Sequence, residues 1–130
     1  LFPLGDQGGN GIPTLGGSLH ATWDDALRYL PFDGTLQRMV VTAQQTDMQG
    51  LDMESSAWLQ ESRKVLQEFV YPDEIKADVL RSERRNTPLE SVALDDDYIS
   101  RMQAIAEDRV TQAGMRLAIL MTELYPTQIK

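Results

Sequence analysis

Between Asp95 and Tyr125 the residues Ile99, Met102, Ala106, Val110, Ala113, Leu117, Leu120 and Leu124 step by three or four positions. That is the period of a helix with one apolar stripe, sustained well beyond the mean helix of about 11–12 residues. Asp95-Asp96-Asp97 puts negative charge where the helix dipole favours it, and Pro126 blocks continuation. Gly114 sits inside the run, where it is about 1 kcal/mol worse than Ala, and reads as a site of close helix–helix packing.

The rest of the chain follows the same period. Leu19–Leu30 reads as a helix capped by Ser18 and stopped by Pro31, with Leu19, Trp23, Ala26, Leu27 and Leu30 inward. Thr35 to about Thr46 is a second, with Leu36, Met39, Val40 and Ala43 on one face. Met53–Tyr71 is a third, buried through Trp58, Leu59, Val65, Leu66 and Phe69 and ended by Pro72. Ile75–Arg81 reads as a short helix, and Ser82–Pro88 as exposed loop. Trp23, Trp58 and the methionines 39, 102, 115 and 121 are read as core. No strand is predicted, so the fold class is all-α, one segment over residues 1–130.

Residues 1–18 differ in kind. They hold six of the nine glycines, with Pro3 and Pro13, and read as a loop whose backbone can approach another group closely. The chain does not begin with Met and reads as a processed or excised piece without a visible signal peptide.

Composition removes several chemistries. With no Cys there is no thiol nucleophile and no thiolate zinc site. Neither Gly-x-Ser-x-Gly nor a phosphate-loop motif occurs, and no apolar run approaches a membrane span. The 12 basic and 20 acidic residues give a formal net charge of −8, which disfavours non-specific duplex binding. An acidic chain that handles phosphates needs bound cations to do so. Asp95-Asp96-Asp97 lacks the spaced oxygens of a calcium loop, and Arg81, Arg84 and Arg85 read as solvated loop.

The sole histidine, His20, lies four residues before Asp24 on the first helix, so both project from one face. An imidazole nitrogen and a carboxylate oxygen so placed can hold two positions on zinc; the same pair also occurs as a plain surface hydrogen bond. A catalytic zinc usually takes three protein ligands, so others would come from carboxylates or from another polypeptide. Asp6 is available nearby, although it reads better as a turn residue.

Gly5-Asp6-Gln7-Gly8-Gly9-Asn10-Gly11-Ile12 followed by Leu19-His20-Ala21-Thr22-Trp23-Asp24 resembles the paired signature of the zinc-dependent single-strand-specific nucleases. These are the mould and plant type I nucleases with 3'-nucleotidase activity, which share a fold with zinc-dependent phospholipase C. Ala57-Trp58-Leu59-Gln60-Glu61-Ser62 and Ala113-Gly114-Met115-Arg116-Leu117-Ala118 are similar to later helices of that family. The resemblance implies a helical bundle holding up to three zinc ions. His20 and Asp24 would ligate one, and Gly8, Gly9 and Asn10 would line the substrate side. It implies hydrolysis of phosphodiester bonds in single-stranded DNA or RNA to 5'-phosphate products, by a secreted or periplasmic protein without membrane association. Only the C-terminal half of the family pattern is matched, so an N-terminal half is the expected partner. Alone, the chain is expected to be inactive or to bind zinc weakly, and to expose apolar surface on its long helix that self-association would cover. A phospholipase C-like phosphodiesterase and a non-catalytic helical interaction module are the alternatives.

Overall fold

The computed structural model describes residues 7–28 and 30–125. Leu1–Asp6 and Pro126, which the sequence reading uses, and Tyr29, inside its first helix, lie outside them. The described chain is all-α, with one small hairpin.

Helix α1 spans Leu19–Asp24. Ser18 caps it as predicted: its backbone is extended and its hydroxyl accepts from the Ala21 N–H at 3.2 Å. The helix stops at Asp24 rather than Leu30, and the chain continues in turns closed by Ala26 N–H to the Trp23 carbonyl and Arg28 N–H to that of Asp25. Helix α2, Phe32–Gln45, starts earlier than Thr35, because Pro31 serves as its N-cap, where no N–H is needed. Helix α3, Ser55–Val65, widens into a π turn, Leu66–Val70, closed by the Tyr71 N–H on the Leu66 carbonyl.

Helix α4, Asp73–Arg85, is longer than Ile75–Arg81, so Ser82–Arg85 are helical and not loop. Asp73 and Glu74 in its first turn and Arg84 and Arg85 in its last both suit the dipole. Asn86, at φ +49°, ends it in the left-handed cap conformation. Helix α5, Asp96–Leu124, matches its prediction, with the Asp95 carboxylate accepting from the Tyr98 N–H at 2.7 Å.

Contrary to expectation, there is a sheet. β1, Pro13–Thr14, pairs antiparallel with β2, Gly17–Ser18, and Val92 bridges to Thr14 with its N–H on the Pro13 carbonyl at 2.8 Å. Strands of two residues carry no alternation for a sequence to display.

The core gathers Ile12, Leu19, Tyr71, Ile75, Val79 and Val92, with Trp23, Val70, Leu89, Leu94 and Tyr98 around them. Trp23 Nε1 donates to the Tyr98 hydroxyl at 2.9 Å, that hydroxyl donates to the Val70 carbonyl at 3.2 Å, and the two rings meet edge-on. One oxygen therefore joins α1, α5 and the π turn. Burial pushes the Tyr98 phenol above its usual pKa.

Several predicted core residues are exposed: Leu36, Val40, Leu59, Leu66, Phe69, Val110, Ala113, Leu117, Leu120, Met121 and Leu124. Periodicity finds an apolar stripe but not what covers it. Helix α5 runs about 43 Å at 1.5 Å per residue, and α2 packs along part of it, tied by Arg38 to Glu107 at 2.7 and 2.9 Å. A Cβ at Gly114 would meet nothing within 4 Å, so close packing is not the reason for that glycine.

A second tie fastens α3 to α5. Glu61 accepts from Arg116 at 2.6 and 2.8 Å and from Arg109 at 2.6 Å. The Arg116 guanidinium lies over the Trp58 ring at 5.2 Å and donates to the Asp52 carbonyl. Arg116 is only 5% exposed, and its charge is answered entirely by this network. Trp58 is thus half-buried as a platform for a cation, with its Nε1 on the same Asp52 carbonyl at 2.8 Å.

Candidate functional site

The glycine loop, the hairpin and α1 form one unit. The Ile12 carbonyl accepts the Leu19 N–H at 2.9 Å, and both side chains are fully buried. This plants the start of α1 against the loop. The Ser18 hydroxyl that caps α1 also donates to Asn10 Oδ1 at 3.3 Å, and Asn10 Nδ2 donates to the Gln7 carbonyl.

Positive φ angles let the loop turn back on α1: +67° at Gly8 and +92° at Gly9. A Cβ at Gly9 would sit 3.1 Å from the His20 backbone nitrogen, tighter than nine in ten real Cβ contacts. Gly9→Ala is therefore expected to destabilise by about 1–3 kcal/mol through backbone strain and to displace the start of α1. Gly16, whose added Cβ would touch nothing within 4 Å, supplies the control, Gly16→Ala. Thermal melts of the two variants make the comparison.

His20 and Asp24 come together above this loop. His20 Nε2 lies 3.2 Å from Asp24 Oδ2, and the side chains are 46% and 69% exposed. His20 Nδ1 lies 3.0 Å from the Gly8 carbonyl. A carbonyl only accepts, so Nδ1 carries a proton. Nε2 then faces a carboxylate oxygen with either a second proton or a cation between them. A backbone carbonyl holding one imidazole nitrogen is the outer-sphere arrangement that orients metal-bound histidines and leaves the other nitrogen to the metal. The donor pair therefore fits a zinc ion chemically, as two ligands. No cluster of three or more His, Cys, Asp or Glu able to hold a metal occurs among the described residues.

Of the residues singled out from sequence, His20, Asp24 and the Gly8 backbone meet directly, while Gly9 and Asn10 lie beside them in the loop. The reading missed Ser18 as the link between Asn10 and the helix, and Tyr98 as the residue that holds Trp23. It also missed the Glu61–Arg109–Arg116 network, whose signal was an arginine next to a core methionine on the apolar side of a helix.

The S1/P1 Nuclease family pattern matches residues 3–126, which takes in the loop, the histidine helix and both later motifs. The chain belongs to the S1/P1 nuclease family. No curated protein and no solved structure matches it. Membership makes this chain nuclease-type, a hydrolase acting on phosphodiester bonds, with nucleic acid as the substrate class. The family is generally zinc-dependent and typically secreted. Among the described residues, no helix is long and apolar enough to cross a membrane.

Proposed function

We propose that this chain supplies one corner of the zinc centre of a secreted or periplasmic endonuclease and 3'-nucleotidase, which cleaves single-stranded DNA or RNA to 5'-phosphate products. The observation that carries the reading is the convergence of Gly8, His20 and Asp24. One imidazole nitrogen is committed to the Gly8 carbonyl, and the other is turned toward a solvent-facing carboxylate.

In this reading His20 Nε2 and Asp24 Oδ2 are two zinc ligands. When bound, zinc supplies the positive charge and Lewis acidity that phosphodiester hydrolysis needs on an acidic protein. The Gly8 carbonyl fixes the imidazole ring and keeps the proton on Nδ1. Gly8, Gly9 and Asn10 line the substrate side, with Asn10 held in place by Ser18. Two donors are fewer than the three a catalytic zinc usually takes. The remaining ligands are assigned to an N-terminal half of the same protein, without which the residues of this chain bind zinc weakly and are inactive.

The test is to produce the chain alone and together with an N-terminal half from its family, then to measure zinc by mass spectrometry after dialysis. Hydrolysis of single-stranded DNA, RNA, duplex DNA and a phospholipid is assayed in parallel. Zinc retention and single-strand cleavage only in the reconstituted protein are expected. No metal above background would leave a helical interaction module. Cleavage of phospholipid alone would make the protein a phospholipase C-like phosphodiesterase, and a preference for duplex would also overturn the reading.

A further inference from the structure

The chain is acidic overall, so any place where it attracts a polyanion must be built locally. Of the eleven basic residues among those described, seven are paired with carboxylates. Arg63, Lys64, Arg84 and Arg85 have no acidic partner among the described residues. Two of these four stand together on α4 in a shaped surface. Arg84 and Arg85 join Arg81, Leu80 and Ala77 around a shallow groove of about 450 Å³.

The opposite face of α4 carries Ile75 and Val79, which pack in one core with Leu19, the residue before His20. The groove thus lies about one helix diameter, roughly 10–12 Å, outside the core that anchors the histidine helix. Arg81, Arg84 and Arg85 fall at i, i+3 and i+4, a single-faced row of guanidinium groups, the side chain best suited to phosphate.

We propose that Arg84 and Arg85, with Arg81 beside them, form an exosite for the phosphate backbone of a single strand, away from the bond that is cut. This rests on the nuclease reading and adds to it a second point of contact, one that favours long strands over short ones. Arg81 is half-committed, being paired with Asp78 at 2.9 Å, so Arg84 and Arg85 carry the contact.

The experiment measures binding of a cleavage-resistant phosphorothioate single strand to the full protein as salt is raised. Each phosphate contact on a single strand contributes about 0.7 to the slope of log affinity against log salt. Arg84→Gln with Arg85→Gln should therefore flatten the slope by about 1.4 and weaken binding several-fold. Arg63→Gln with Lys64→Gln, which removes the same charge elsewhere, should leave the slope as it was. An unchanged slope in the α4 variant would overturn the exosite, and so would an equal fall in both variants, since that would reflect overall charge alone. Hydrolysis of a dinucleotide by the unsubstituted protein reconstituted with its N-terminal half reports on the nuclease reading separately, so either conclusion can fail without the other.

Discussion

Replacing His20 or Asp24 with Ala is expected to lower zinc occupancy and phosphodiesterase activity of the reconstituted protein by at least about 100-fold, since loss of an outer-sphere partner alone commonly reaches that range. Folding should hardly notice. Both side chains are largely exposed, and the tie of the imidazole to the loop is one hydrogen bond to Gly8. A single such bond contributes about 0.5–1.5 kcal/mol. Circular dichroism should therefore stay unchanged while metal content collapses. Asp24→Asn refines the test, because it keeps size and hydrogen bonding but removes the charge that zinc requires. A large loss of helicity, with zinc still bound in the folded remainder, would make the pair a structural contact.

Glu61→Gln is expected to lower stability markedly, within the range of about 3–5 kcal/mol that removing one partner of a buried ion pair costs. The lower end is the better guide, because Glu61 keeps about a third of its own exposure. The hydrogen bonds from Arg116 and then Arg109 hold the Glu61 carboxyl well below its ordinary value, at about 2 against 4.5. A depressed carboxylate contributes stability above its unfolded pKa and loses it as pH falls through the folded one. The advantage of the natural chain over the Gln variant should hold at neutral pH and shrink between about 4.5 and 2. Urea midpoints of both proteins, followed down that range, measure it. An advantage independent of pH would assign the effect to packing.

What the sequence displayed was governed by how long each pattern ran. Helix α5 was legible because eight apolar residues kept step between an acidic cap and a proline. Helix α4 was read short because Ser82 to Arg85 are all polar or charged and show no stripe, while the dipole and the Asn86 cap carry the helix on. Helix α1 was read long because Leu27 and Leu30 happen to keep the helical spacing after Asp25 has ended it. The core was the least visible part. Ile12, Val92 and Tyr71 sit in loops or at element ends, where no period marks them, although Ile75 and Val79 stood four apart. The candidate site is short in sequence. The glycine loop and the His20–Asp24 spacing are local, and the loop's turns with the buried Ile12–Leu19 contact bring them together. The contacts between Glu61 and Arg116 and between Trp23 and Tyr98 span 55 and 75 residues, beyond the reach of any local pattern.

The shared oxygen of Tyr98 narrows the path along which this protein can diverge. Phenylalanine would keep the ring but abandon two partners at once, tryptophan has no acceptor for the indole, and histidine would have to divide between two ring nitrogens what one hydroxyl oxygen does. Position 98 is thus a residue at which lineages should keep tyrosine, or else alter Trp23 and the π turn in concert.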